Sequence, residues 1–487
     1  MPLRGLQRFF LLLILVMLCV PVLAVMGSWL QWDAATADIL REMAGTVLPD
    51  YAWTTLRLCL MVAAGTVVVG SASAAAVTLF EFPGRRVAEW ALLLPLAMPA
   101  YVVAYAYTDF LQYSGPLQTT LRSVFGLQGR VFPEVRSVGG AAWVFTFSLY
   151  PYVYLLARTA LSERATHLME AARLLGAPLS RRIREVALPL ARPAVAAGTA
   201  LALMETLADF GVSSYFGIQT FSAGIYKAWL AMDNRIAAAQ LATVLLAVVM
   251  VLLRLEHRAQ ARMRFASVRG GRAGAVEAQA APLTGARLAL AWAVCGLPVL
   301  LGFVLPVAFM LRPLAADWSV LPWSGFVAWA FNSVRLGGVT AALAVAMAML
   351  LAFSARRDAG RFTRAVVQLA GLGYAIPGAV IVVGLLLPVG WLQALAPATG
   401  VGYLMTATSF GLVWAYLVRF CAVALQSMQS GYARIPASFD DSARMLGTGG
   451  FGLLRRGARA PPRPSPPRAA PRGLVGGPPR KAPPPAL

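Results

Sequence analysis

The sequence predicts an all-α polytopic membrane protein, and three observations carry that prediction. Only 13% of the 487 residues are charged, about half the share usual in a soluble chain. The apolar residues, 59% of the total, gather in runs of about 20, the length that crosses a bilayer as a helix. Arginines cluster between these runs, as they do in basic cytoplasmic loops. The formal charge of +22 therefore reads as membrane topology, and no nucleic-acid partner is expected. Cys19, Cys59, Cys295 and Cys421 fall in apolar runs without metal-ligand spacing and read as small buried hydrophobes.

Ten transmembrane helices are read, over residues 9–30, 55–79, 90–112, 139–159, 193–212, 236–254, 288–311, 331–353, 366–388 and 403–425. The first run follows Arg4 and Arg8, so a cleaved signal peptide is one reading. Its length and the later topology favour an uncleaved first helix. With the N-terminus cytoplasmic, the inner segments hold Arg85 and Arg86, the arginines of 158–192, the run from Arg254 to Arg287, and Arg356, Arg357, Arg361 and Arg364. Residues 311–330 hold only Arg312 and 389–402 hold no arginine, whereas 113–138 hold Arg122, Arg130 and Arg136. The bias supports a multi-pass membrane protein with its N-terminus inside.

The stretch from residue 254 to 287 has no apolar period and reads as a basic cytoplasmic linker. It separates a first half, 1–253, from a second, 288–456. The halves repeat. Thr55-Leu56-Arg57-Leu58 resembles Ser333-Val334-Arg335-Leu336, and 42 residues beyond each arginine stand Pro99 and Pro377. Glu170-Ala171-Ala172-Arg173-Leu174-Leu175-Gly176 resembles Asp441-Ser442-Ala443-Arg444-Met445-Leu446-Gly447. Both copies run in the same direction, unlike the inverted repeats of many secondary transporters.

The segment 170–189 is the most informative. Glu170 to Leu175 are helix formers, Gly176 permits a sharp bend, and a second short helix is expected to end at Leu188-Pro189. The pattern Glu170, Ala171, Ala172, Gly176, Val186, Leu188, Pro189 resembles the EAA loop of ABC importer permeases. The resemblance implies two parallel-repeat, MetI-like transmembrane domains. It also implies that the loop, with its second copy from Asp441 to Gly447, docks on a dimer of cytoplasmic ABC ATPase subunits. A periplasmic substrate-binding protein is the other implied partner. The stretches 82–86, 94–110, 150–158 and 204–229 resemble the ferric-iron permeases, in which two halves share one polypeptide; thiamine and phosphonate permeases are the alternatives. The lysines, Lys227 and Lys481, have no Walker A context, and no catalytic, cofactor or metal constellation is present. The chain thus reads as a transport subunit that is not itself an enzyme.

Two acids, Glu205 and Asp209, are placed four apart on the fifth span. Intramembrane acids face a cavity or a partner, so two readings stand open: a cation-attracting wall of the translocation path, or a pair bonded to a neighbouring helix. Tyr101, Tyr105 and Asp109 share a face of the third span. Their hard oxygen ligands would suit ferric iron, and an interfacial tyrosine belt is the other reading. Pro99 and Pro377 are expected to kink their helices. After Gly447 the repeat fails: Arg459-Ala460 stand where Leu-Pro belongs, and 11 of the 31 residues from Gly457 onward are proline. That tail, 457–487, is expected to be disordered and to reflect a change of reading frame that truncates the second half; a regulatory tail is the alternative. The rival classes are an ion-coupled secondary transporter and a non-transporting scaffold.

Overall fold

A computed structural model of the chain describes residues 2–31, 34–162, 166–268, 281–357 and 360–433. The chain divides into Met1–Ser427 and Met428–Leu487. Of the second unit only the end of one helix is described, so the expected tail and the second loop copy, Asp441 to Gly447, lie outside the described residues.

The architecture is helical. The N-terminal region runs through α1 (Pro2–Gly27), α2 (Ala34–Thr46), α3 (Leu48–Leu79), α4 (Arg85–Ala91), α5 (Ala100–Leu111), α6 (Pro116–Phe125) and α7 (Val138–Ala160). It continues with α8 (Thr166–Leu174), α9 (Leu179–Arg182), α10 (Leu188–Ala208), α11 (Gly211–Phe216), α12 (Phe221–Tyr226) and α13 (Arg235–Val268). The C-terminal region comprises α14 (Ala286–Val299), α15 (Leu305–Ala316), α16 (Trp323–Arg357), α17 (Arg361–Gly371), α18 (Gly378–Leu395), α19 (Val401–Thr406) and α20 (Ser409–Ala433). Among the described residues nine helices are long and apolar enough to cross a membrane, or ten if a bent pair counts as one span.

That bent pair corrects the expected third span. Residues 85–97 and 100–125 meet at 88°, because a 3₁₀ turn at Leu94–Ala97 leads into Pro99, which caps α5 in an extended conformation (φ −58°, ψ 138°). The expected ninth span, 366–388, is likewise broken. A 3₁₀ turn at Gly373–Ala375 precedes Pro377, which caps α18 with φ −59° and ψ 144°. Both prolines therefore start helices rather than kink them, in keeping with a ring that lacks the N–H a helix interior needs. The element order is the same around both: a long helix, a short basic-started helix, a 3₁₀ turn, a proline-capped helix, a short helix and a long helix. The expected linker also differs in part, since α13 carries helix on to Val268. Beyond it, Ala281–Pro282 pairs in parallel with Phe80–Glu81.

The core lies where α3, α7 and α10 pack together. Two glycines let the three backbones approach. A Cβ on Gly70 would sit 2.7 Å from the Val153 Cβ, and one on Gly198 would sit 2.6 Å from the Val153 Cα, so α3 and α10 close on α7 from two sides. The first helix of each region packs on the other region: α1 lies on α17 and α18, and α14 and α15 lie on α3 and α5. By contrast α16 exposes Phe326, Val327, Trp329, Phe331 and Val334, which suits a lipid-facing surface.

Candidate functional site

The loop 170–189 begins with α8 and closes in a Schellman turn. The Ala177 N–H donates to the Ala172 carbonyl at 3.0 Å, and the Gly176 N–H donates to the Arg173 carbonyl at 3.0 Å. This turn requires a left-handed residue after the helix, and Gly176 has φ +79°. The hinge expected from the sequence is therefore in place. The second helix differs from expectation: Leu188-Pro189 does not end it. Residues 179–208 form one continuous span, with a π turn at Ile183–Ala187 in which the Leu188 N–H reaches back to the Ile183 carbonyl. Pro189 has no N–H to offer Glu185, and widening the preceding turn accommodates its ring.

The loop has a buried side and a bare side. Met169 and Ala187 join the core formed by Phe82, Ala88, Leu92, Tyr150, Tyr154 and Leu161. Leu174 and Leu175 are 89% and 87% exposed, an uncovered apolar tip beside half-buried Glu170 and Ala172 and exposed Ala171. Beneath it α4 is fastened to α7. Arg158 donates to the Glu89 carboxylate at 2.7 Å, and the Arg85 Nε lies 3.3 Å from the same carboxylate. The Tyr154 and Tyr150 hydroxyls donate to the carbonyls of Glu89 (3.0 Å) and Leu92 (2.9 Å).

A second constellation lies at the other end of α10. Glu205 pairs with Arg419 on α20, whose Nη2 is 3.1 Å from one carboxylate oxygen and 3.5 Å from the other. The guanidinium stands 5.7 Å from the centre of the Tyr374 ring, and the Tyr374 hydroxyl lies 3.5 Å from that of Tyr152. Of the four residues only Glu205 was singled out in the sequence. Arg419 was legible as an arginine inside the last apolar run, a position that demands a partner; the tyrosines carried no signal of their own.

Asp209 does not share the face of Glu205. Helix α10 ends at Ala208 and Asp209 turns to an extended conformation (ψ 127°). Its Oδ1 accepts the Val212 N–H at 2.8 Å and its carbonyl accepts the Ser222 hydroxyl at 2.9 Å, so the side chain caps α11. The physical reason is local: an aspartate is a good cap and a poor helix-interior residue. On α5, Tyr101 and Tyr105 are exposed while Asp109 is half-buried. The Tyr105 ring leans on Tyr215 at 6.0 Å, and the Tyr101 Cβ borders Gly211. Among the described residues no group of three or more His, Cys, Asp or Glu side chains is placed to hold a metal ion. The three arginines of 113–138 are engaged locally. Arg122 stacks 4.0 Å over Tyr113, Arg130 pairs with Glu134 at 3.3 Å, and Arg136 stacks 4.9 Å over Tyr215.

Residues 66–264, which include the whole loop, match the family described as the binding-protein-dependent transport system inner membrane component. The chain is 26% identical over 480 residues to the probable ABC transporter permease protein y4fN of Sinorhizobium fredii, covering 91% of this chain and 80% of that protein. It is 22% identical over 406 residues to the Fe(3+)-transport system permease protein FbpB 2 of Haemophilus influenzae, covering 82% and 74%. It is 29% identical over 187 residues to the putative 2-aminoethylphosphonate transport system permease protein PhnU of Salmonella choleraesuis, covering 38% of this chain and 65% of that protein. The chain thus has the MetI-like membrane fold, and its residues 66–264 are similar to the inner membrane component of binding-protein-dependent transport systems.

Proposed function

We propose that the chain is the inner-membrane permease of a binding-protein-dependent ABC importer, with two halves in one polypeptide, and that it moves ferric iron into the cytoplasm using ATP hydrolysed on separate subunits. The observation that carries the reading is the bare apolar tip on a rigid turn: Leu174 and Leu175 are held outward by the Gly176 Schellman motif. An exposed leucine pair beside basic residues fits a groove on a soluble partner, and the family's loop occupies such a groove on its ATPase. The N-terminus lies in the cytoplasm on this reading, on the same face as the loop. A periplasmic binding protein supplies the cargo at the opposite face.

Iron is favoured by extent of likeness. The ferric permease aligns with 82% of the chain, through both regions, whereas the phosphonate permease aligns with 38%. The recurrence of the proline-capped helices at Pro99 and Pro377 supports two halves. Phosphonate import is the second reading, favoured by the higher identity of PhnU within its shorter match. Competitive uptake of radiolabelled ferric iron and 2-aminoethylphosphonate by cells of the source organism with and without the gene for this chain separates the two. Iron uptake that cold phosphonate does not reduce is expected, and phosphonate uptake alone would overturn the assignment.

A further inference from the structure

Glu205 and Arg419 belong to different regions of the chain, and so do the tyrosines beside them. Tyr152 and Glu205 lie on α7 and α10; Tyr374 and Arg419 lie just before α18 and on α20. Each region thus contributes one charge and one tyrosine to a single cluster. The side chains of Glu205 and Arg419 are 22% and 24% exposed, so the pair is not sealed inside the protein. Among the described residues the Arg419 Nε has no hydrogen-bond partner, and Glu205 is the carboxylate that the guanidinium contacts.

Glu205 is also connected to the loop. The span from Leu179 to Ala208 is continuous, and at 1.5 Å per residue the 26 steps from Leu179 to Glu205 cover about 39 Å. One helical span therefore joins the loop to this carboxylate. Parting the two regions at α10 and α20 separates two opposite charges in a low-dielectric setting, where an uncompensated ion is costly. The pair therefore favours the closed arrangement until water or a passing ion takes the place of each partner.

We propose that Glu205 and Arg419 form a latch between the two halves, closed by their ion pair and opened once in each transport cycle. This rests on the importer reading for its role but not for its test. The full chain is reconstituted in lipid vesicles without ATPase or binding protein, and the passive entry of xylitol is followed by osmotic swelling. Wild-type vesicles are expected to stay tight. Glu205→Gln and Arg419→Met are each expected to raise xylitol entry roughly tenfold, the population shift that follows loss of one charge-assisted hydrogen bond. The exchanged pair, Glu205→Arg with Arg419→Glu, is expected to return entry to within about twofold of wild type, because the attraction is restored with its sign of charge reversed. Single variants as tight as wild type, or an exchanged pair as leaky as the singles, would overturn the latch. Should the single variants not be recovered folded, Glu205→Gln with Arg419→Gln removes both charges and leaves neither unpaired. That double variant is expected to leak severalfold more than wild type, and tight vesicles would overturn the proposal. Because no ATP or cargo is present, failure of the latch is read here, while failure of the importer reading is read only in uptake.

Discussion

A proline inside a membrane helix leaves the carbonyl four residues earlier without its N–H, and hydrocarbon offers no water to replace it. Here side chains from the opposite region fill that need. Pro21 frees the Met17 carbonyl, which accepts the Trp414 Nε1–H at 2.8 Å. Pro298 frees the Val294 carbonyl, which accepts the Ser73 hydroxyl at 3.3 Å. The Leu301 carbonyl is freed by the π turn before Pro306, because the Leu305 N–H is taken by Leu300, and it accepts the Tyr107 hydroxyl at 2.6 Å. Tyr107→Phe is expected to destabilise the protein by about 1–3 kcal/mol, the cost of a buried carbonyl left unsatisfied. Thermal unfolding in detergent measures it, with Tyr113→Phe at an exposed site expected to match wild type. Asp209→Ala is expected to cost about 1 kcal/mol through the lost cap on α11, and Asp209→Asn much less, since the amide oxygen still accepts. Equal losses for Ala and Asn would argue for a charge-based role of Asp209 instead.

At the scale of the element, the loop 170–189 was the most legible feature of the sequence. Its helix-forming run, its glycine hinge and the second helix are all present, because short-range chemistry decides them: a left-handed residue is needed after α8, and glycine adopts it without strain. Gly176→Val is expected to distort that turn, and Leu175→Asp to leave the fold intact while removing the apolar tip. Both are expected to lower ATP-driven uptake at least about tenfold, a change of roughly 1.4 kcal/mol in coupling, with unchanged protein in the membrane by immunoblot. Uptake at wild-type level for Leu175→Asp would detach the tip from function. Elements were misread where proline chemistry has more than one outcome. Leu188-Pro189 was read as a helix end and is carried through by a π turn. Pro99 and Pro377 were read as kinks and are helix starts, each preceded by a 3₁₀ turn. Composition alone does not separate these outcomes, since the same apolar window fits a straight span and a bent pair.

The whole molecule owes its arrangement to contacts between segments far apart in sequence. The spacing from Arg57 to Pro99 equals that from Arg335 to Pro377, and a 3₁₀ turn and a proline-capped helix stand at each proline. The packing of α1 on α18, and of α15 on α5, was not visible, because periodicity shows that a helix has an apolar face and not which helix covers it. The same limit hid the pairing of Glu205 with Arg419: each is an isolated charge in its own run until the fold brings them within 3.1 Å. That neutralisation also bears on the wall-or-partner question. The Glu205 carboxylate has a cationic partner on another helix, Arg419.

On the proposed function, this membrane chain moves its cargo by ATP hydrolysed on a separate subunit docked at residues 170–176. The most direct measurement is cargo uptake by cells that express the chain but lack the ABC ATPase that supports its uptake, with the proton gradient intact. Uptake is expected to be absent in these cells and to return when the ATPase is supplied from a plasmid, but not when the permease carries Leu175→Asp. Uptake that persists without the ATPase and collapses when the proton gradient is dissipated would contradict the claim and place the chain among ion-coupled transporters.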